Sequence, residues 1–453
     1  MKYHLVCFGC QMNTSDAERV SSVLEALGFA PTHSEEEANI LGLVACSVRQ
    51  RATDRAFAKI RKWNLWKNSR NVLTFITGCV LPADQQRFLD LFDFFFNIDE
   101  LPRLPEMIRQ YGVVTPVGIS TWNLPDNSGG FWNIEPTYES SFEAYVPIQN
   151  GCDKFCSFCA VPYTRGREVS RPSDEILDEI QSLIDKKYKS ITLLGQNVNS
   201  YGKDKGSGEC GFSELLSQIG DLTNGQGIWI YFTSPHPSDM TRDVLQVIAN
   251  YPSIAKQIHL PLQSGDDDVL ALMNRNYTLE QYRDIIYEIK QEIPGASLFT
   301  DIIVGFPGET DKQFERTREA LLDFQFNMAY VAMYSPRPGA RSERLNDDVP
   351  FKVKKYRLHE LSNELKNISL RHNRNLLGTT ARVLVTGDDR KEGFLAARTE
   401  GRTIVRFPSR NRKQIGTFAD IKITAASEMS IEGETLIQET TTTRRNAKAP
   451  RTV

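Results

Sequence analysis

The stretch Asn150-Gly151-Cys152-Asp153-Lys154-Phe155-Cys156-Ser157-Phe158-Cys159 sets three cysteines at C-x3-C-x2-C spacing, directly after an apolar run at 144–148. Thiolates this close in sequence can converge on one metal centre, and three of them leave a four-iron cube one protein ligand short. An iron left open is a place for a small molecule to coordinate, which makes the stretch a candidate for catalysis rather than electron storage. A structural zinc ion is the competing use. Zinc in that role takes four protein ligands, and no fourth cysteine or histidine stands nearby in the sequence.

Working outward, the N-terminal side holds three more cysteines in a repeated context. Residues 5–8 read as a short strand ending at Gly9-Cys10-Gln11-Met12-Asn13. A helix follows, with Thr14 or Ser15 as expected cap, Asp16 and Glu18 in its first turn, and Val20, Val23, Leu24 and Leu27 at helical spacing before Gly28. A strand at 40–45 runs into Cys46 and another at 72–77 runs into Gly78-Cys79. In an open parallel α/β sheet the carboxyl ends of strands are the ligand-binding edge. Three cysteines delivered to equivalent strand ends therefore point to a second three-thiolate cluster. Cys7, one turn of strand away, is expected in the core, and Cys210 is read as incidental.

On the other side, residues 111–143 lose periodicity and fill with Pro, Gly, Asn and Ser, the composition of a linker or surface loop. Strands at 144–149, 190–194, 228–233, 257–262, 297–304 and 328–334 then alternate with helices at 173–187, 212–222, 241–249, 278–292 and 311–324. That alternation predicts a parallel sheet or partial (β/α) barrel with its polar and glycine-rich residues at strand ends. Residues 352–376 form a basic helical connector, and short strands at 381–386, 393–397, 403–407 and 417–425 suggest a small β-barrel. The expected organisation is an N-terminal open α/β (Rossmann-like) domain over 1–118, a linker over 119–140, the barrel over 141–375, the small β-barrel over 376–440 and a disordered tail over 441–453.

Composition sets limits on function. A chain of 453 residues needs about three domains. Eight cysteines at this length are too sparse for a disulfide scaffold and favour metal or redox chemistry in a reducing compartment. The N-terminus shows no signal peptide and no apolar run approaches the ~20 residues that span a bilayer, so a cytoplasmic location without a membrane is expected. A net charge of −3 gives no global pull on nucleic acid, and any such partner must be held by local basic patches.

The cysteine spacing, with Phe158 before its last member, resembles the signature of radical S-adenosylmethionine (SAM) enzymes. Gly9-Cys10-Gln11-Met12-Asn13, Cys46-Ser47-Val48-Arg49, Gly78-Cys79, Pro162-Tyr163-Thr164-Arg165-Gly166-Arg167-Glu168-Val169-Ser170-Arg171-Pro172, Gly195-Gln196-Asn197-Val198, Asp301-Ile302-Ile303-Val304-Gly305-Phe306-Pro307-Gly308-Glu309-Thr310 and Tyr334-Ser335-Pro336-Arg337-Pro338-Gly339 together resemble the methylthiotransferases of that class. The likeness covers nearly the whole chain, in the family's order of cluster domain, radical SAM barrel and C-terminal TRAM domain. Gln11-Met12-Asn13 and Gln196-Asn197-Val198-Asn199 are similar to the branch that makes 2-methylthio-N6-dimethylallyladenosine in tRNA. Ala340 departs from the threonine common in relatives, without consequence for the chemistry.

The resemblance implies two [4Fe-4S] clusters, one on Cys152, Cys156 and Cys159 with SAM on its open iron, the other on Cys10, Cys46 and Cys79. It further implies that one SAM donates a methyl group and another yields the 5′-deoxyadenosyl radical that removes hydrogen from carbon 2 of N6-isopentenyladenosine at position 37. SAM contacts are expected from Phe158, Gly195, Gln196, Asn197, Gly305, Pro307, Gly308 and Glu309. The tRNA anticodon stem-loop is expected on Arg49, Arg165, Arg167 and Arg171 and on Arg398, Arg402 and Arg406 of the small barrel. A reducing electron donor and a sulfur source are further partners, and a monomer is expected. His236 and His259 at strand ends serve either a structural or a site role. Competing readings are methylthiolation of a ribosomal-protein aspartate or of threonylcarbamoyl-adenosine, and, from another class, an RNA-binding protein with structural or redox-sensing clusters.

Overall fold

The structure is a computed structural model that describes residues 1–47, 50–115, 130–205 and 209–436. It divides into two units, Met1–Ser369 and Leu370–Val453. No helix among the described residues is long and apolar enough to cross a membrane.

The first unit opens with a five-stranded parallel sheet ordered β2-β1-β3-β4-β5, where β1 is Lys2–Phe8, β2 Ala30–Pro31, β3 Ile40–Cys46, β4 Leu73–Cys79 and β5 Phe94–Phe95. β3 and β4 are buried along their whole length, as continuous apolar runs in a parallel sheet must be when helices cover both faces. Helix α1 (Gln11–Ala26) sends Val20, Val23 and Leu24 onto one face, and helix α2 (Gln50–Lys67) sends Ala56, Ile60 and Trp63 onto the other. α1 starts earlier than its expected caps. Cys10 is the N-cap, and Asn13 Oδ1 accepts the Cys10 N–H at 3.4 Å, so Thr14 and Ser15 lie inside the first turns.

The expected linker is in part core. Phe131, Trp132 and Ile134 are buried against the Phe75, Phe94 and Phe96 cluster, because this face of the sheet has more apolar surface than α1 covers. Residues 116–129 lie outside the described residues.

Six parallel strands follow in two sheets, β10-β9-β6 and β11-β12-β13: β6 is Glu143–Pro147, β9 Ser190–Leu194, β10 Trp229–Phe232, β11 Gln257–His259, β12 Ser297–Val304 and β13 Met328–Met333. Chain order matches spatial order within each sheet, and a single Ile230–Ile254 bridge extends the first. This is the expected partial barrel. β7 (Gln149–Asn150) and β8 (Val169–Ser170) form a small antiparallel pair that closes the base of the cysteine-bearing loop. The helix Phe351–Arg374 is more than a connector, since Leu361 and Ile368 are fully buried in the barrel core.

The second unit is a closed barrel ordered β14-β15-β16-β18-β17, with β14 Thr380–Asp388, β15 Phe394–Thr399, β16 Ile404–Pro408, β17 Phe418–Ala426 and β18 Ile431–Thr435. Val383, Val385, Leu395, Val405, Phe407, Ile421 and Ile423 fill it. β18 was not expected. Only Ile431 among its residues is a strong apolar signal, yet it closes the barrel by pairing with both β16 and β17.

Cys7 is exposed rather than core: its side of β1 opens onto a cleft of about 670 Å3 shared with Glu18, Glu25 and Tyr138. Glu18 itself is buried. One of its oxygens accepts the Glu139 N–H at 3.1 Å, the other has no partner among the described residues, and burial pushes its carboxyl up to about 7 from 4.5. A raised carboxyl favours the folded state below pH 4.5, and that advantage is lost as pH rises through about 7. Glu18→Gln is therefore expected to flatten the fall in stability between pH 5 and pH 8, raising stability at pH 8 by on the order of 2–3 kcal/mol in urea titrations. An unchanged pH slope would refute it.

Candidate metal centre

The three N-terminal cysteines meet at the carboxyl edge of the first sheet. Cys46 and Cys79 are paired in register at the ends of β3 and β4, and Cys10 caps α1 at the end of β1. Gly78 makes this possible: its φ is +104°, and a Cβ there would lie 2.5 Å from Ala45 O and 2.8 Å from Asn13 Nδ2. Asn13 ties the group together by donating to Ala45 O at 3.2 Å while lying 3.9 Å from Cys79 Sγ and 3.6 Å from Cys10 Sγ. The positive end of the α1 dipole also points here, which favours negative charge.

The second trio sits on the loop closed by β7 and β8. Gly151 has φ +84°, and a Cβ there would strike Arg167 O at 2.0 Å, so only glycine lets the returning chain pass under Cys152. Phe155 takes a left-handed φ of +48° between the first two cysteines, and Asn274 holds it by donating to the Lys154 and Phe155 carbonyls. Arg275 Nη1 donates to Cys156 Sγ at 3.3 Å, and the Val161 N–H points at Cys159 Sγ at 3.5 Å.

The donor sets fit iron–sulfur clusters. Burial pushes the Cys152 thiol up to about 12 and the Cys159 thiol up to about 11, and it raises Cys10 as well. Cys79 is driven well up, first by its hydrogen bond with Cys46 and then by burial. Thiols raised in this way deprotonate when a metal takes them. Among the described residues no three His, Cys, Asp or Glu side chains are close enough to chelate one ion.

Beside Cys152, Cys156 and Cys159 lies a cavity of about 210 Å3 whose lining includes Phe158, Gln196, Asn197, His236, Gln263 and Arg275. Asn197 Oδ1, His236 Nε2 and Gln263 Oε1 are buried without hydrogen-bond partners among the described residues. Buried polar atoms left this way are places where a polar ligand completes the hydrogen bonding. Burial holds His236 neutral, with its pKa pushed down to about 2, so it adds no positive charge against a cationic ligand. His259 joins Asp301 at 2.7 Å on the same wall.

Several expected site residues are placed elsewhere. Gly195 is not in the lining, although Gln196 and Asn197 are. Gly305, Pro307, Gly308 and Glu309 are not in it either. The close approach that Gly305 permits is to the Lys354 side chain, whose Cγ would lie 2.3 Å from a Cβ. Glu309 is buried on Arg357 at 2.7 Å and on the Gly305 N–H at 2.6 Å, so its carboxylate braces the loop.

The RNA expectation needs correction at two arginines. Arg165 is buried on Asp16 and Cys79, and Arg171 is buried on Glu179 and Glu175, so neither can reach a phosphate. Burial and pairing were invisible in a run that reads as a basic loop. Arg167 remains exposed, paired with Asp153 and lying over the Phe155 ring. Arg398, Arg402 and Arg406 are half-buried on the small barrel, the last paired with Asp389. Arg49 lies outside the described residues.

Three family models match: the Radical SAM superfamily over residues 146–321, the Uncharacterized protein family UPF0004 over 2–96 and the TRAM domain over 374–436. The chain is 37% identical to the tRNA-2-methylthio-N(6)-dimethylallyladenosine synthase of Bacillus pumilus, over 96% of this chain and 85% of that one. It is 37% identical to the synthase of the same name from Actinobacillus succinogenes and 38% to that of Histophilus somni, each over 100% of this chain and 96% of the relative. The chain belongs to the tRNA-2-methylthio-N(6)-dimethylallyladenosine synthase family. Among solved structures, the radical SAM methyltransferase TsrM from Kitasatospora setae shares its fold, with a TM-score of 0.53 at 12% identity over 73% of each chain.

In this family member the side chains that sequence reasoning missed are Asn13, Asp16, Asn150 and Arg275. Each is polar, buried and set against one of the trios or its supports. A polar residue inside a motif, as Asn13 is, carried a signal. Arg275, 116 positions after Cys159, carried none.

Proposed function

We propose that this protein is a two-cluster methylthiotransferase that places a methylthio group on carbon 2 of N6-isopentenyladenosine at position 37 of tRNA. The observation that carries the reading is the gathering of Cys10, Cys46 and Cys79 at one sheet edge, joined through buried Arg165 to the loop that bears Cys152, Cys156 and Cys159. Cys152, Cys156 and Cys159 would hold one [4Fe-4S] cluster, and the N-terminal trio the other. When bound, the first supplies the electron that cleaves SAM to a carbon radical and the second holds the sulfur to be transferred.

The chain's own residues do the rest. Arg275 and Arg165 each place an N–H on a thiolate, which offsets the charge of a bound cluster. Asn197, His236 and Gln263 offer the polar atoms that orient SAM's methionine part, and neutral His236 leaves its sulfonium unopposed. The adenine has to leave its stack in the anticodon loop to reach the site. Exposed Arg167, Arg410 and Arg412 are the phosphate contacts that tRNA would meet on the two units.

Anaerobic reconstitution is expected to load about eight irons per chain, from two four-iron cubes. Four or fewer after full loading would refute the two-cluster model. Nucleoside mass spectrometry of tRNA from a deletion strain should show isopentenyladenosine in place of its 2-methylthio form, and an unchanged profile would overturn the substrate.

A further inference from the structure

We propose that Arg165 is a positioning residue that fixes the N-terminal trio against the barrel and raises the reduction potential of the cluster held there. The inference rests on the reading that Cys10, Cys46 and Cys79 bind a cluster. Arg165 ends the short helix Val161–Arg165, which begins two residues after Cys159, so its backbone is tied to the barrel's trio. Its side chain crosses to the other. Nε donates to Cys79 Sγ at 3.0 Å, Nη1 donates to Asp16 Oδ1 and to Asn150 Oδ1, both at 3.3 Å, and Nη2 completes the pair with Asp16. Asn150 in turn donates to Arg165 O at 3.4 Å, two residues before Cys152. The guanidinium and the Asp16 carboxylate are each only 1% exposed. One rigid fork thus touches a cysteine of one trio, the helix that follows Cys10, and the residue leading into the other trio.

A hydrogen bond to a cluster sulfur and a buried cation beside it both favour the more negative, reduced state. Asp16 opposes this with a buried anion. The two therefore act with opposite signs, although both belong to one contact. A merely structural role moves them together, because removing either end breaks the same ion pair.

The test uses the full chain with Cys152→Ala, Cys156→Ala and Cys159→Ala, so that a single cluster is titrated by electron paramagnetic resonance after anaerobic reconstitution. Arg165→Gln is expected to lower the midpoint by at least a tenfold change in the oxidised-to-reduced ratio, about 59 mV for one electron. Asp16→Asn, which keeps the shape of the side chain and removes its charge, is expected to raise it. Midpoints that do not move, or that move in the same direction, overturn the inference. A background protein that retains no iron at all overturns the cluster reading beneath it, which separates the two failures.

Discussion

Cys79→Ala is expected to reduce 2-methylthio product by more than about a hundredfold while 5′-deoxyadenosine continues to form from SAM. Losing a residue that only supports a metal ligand typically costs ~10–100-fold, and Cys79 is proposed as a ligand itself. It is also paired in register with Cys46, beside Asn13 and bonded to Arg165. The trio at Cys152, Cys156 and Cys159 keeps its own loop, its β7–β8 closure and its Arg275 contact in this variant, so SAM cleavage has no reason to stop. Quantifying both products in one reaction decides the matter. Product at the wild-type rate would mean that sulfur does not come from this site, and loss of both products would mean that the trios do not act separately.

The second large effect concerns stability. Arg357→Met is expected to cost about 3–5 kcal/mol, the usual penalty for leaving one member of a buried pair uncompensated. Arg357 is 3% exposed and Glu309 is fully covered. The guanidinium also donates to Glu309 O at 3.0 Å and to Asp311 at 2.8 Å. Burial already raises the Glu309 carboxyl, and removing Arg357 takes away the main charge that opposes this. A carboxyl with a raised folded pKa loses its contribution as pH rises, so the variant should be weaker at pH 8 than at pH 5. Against a typical total of ~5–15 kcal/mol this is severe. Lys186→Ala, which breaks an exposed pair with Glu135, should stay within about 1 kcal/mol in the same denaturant titration. An Arg357→Met change as small as that would show that the loop does not depend on its brace.

Both effects turn on residues whose importance was unequally visible beforehand. The six cysteines proposed as ligands were legible because ligation would demand a residue type at a spacing, and they stand in strand-end or loop contexts that repeat. The barrel was legible for a related reason: buried parallel strands such as Ser190–Leu194 and Ser297–Val304 are short apolar runs between periodic helices, and one-dimensional patterns record them directly. Glu309 stands in a glycine-rich motif, but its partner Arg357 lies 48 positions away on a helix that reads as a basic connector.

Local chemistry, then, was enough to mark out most of the elements, the six cysteines proposed as ligands and the family resemblance, since each depends on neighbours in the chain. Folding alone decided which charges meet. Arg165, Arg167 and Arg171 are neighbours in one basic run, yet only Arg167 faces solvent while the other two are buried against carboxylates. The same holds for Cys7, three positions from Cys10 but opening onto a surface cleft, and for Phe131 and Trp132, which enter a core from a stretch without periodicity. The physical reason is common to all of them. Desolvation and pairing depend on which distant element packs over a side chain, and Arg165 meets Asp16 across 149 residues of chain.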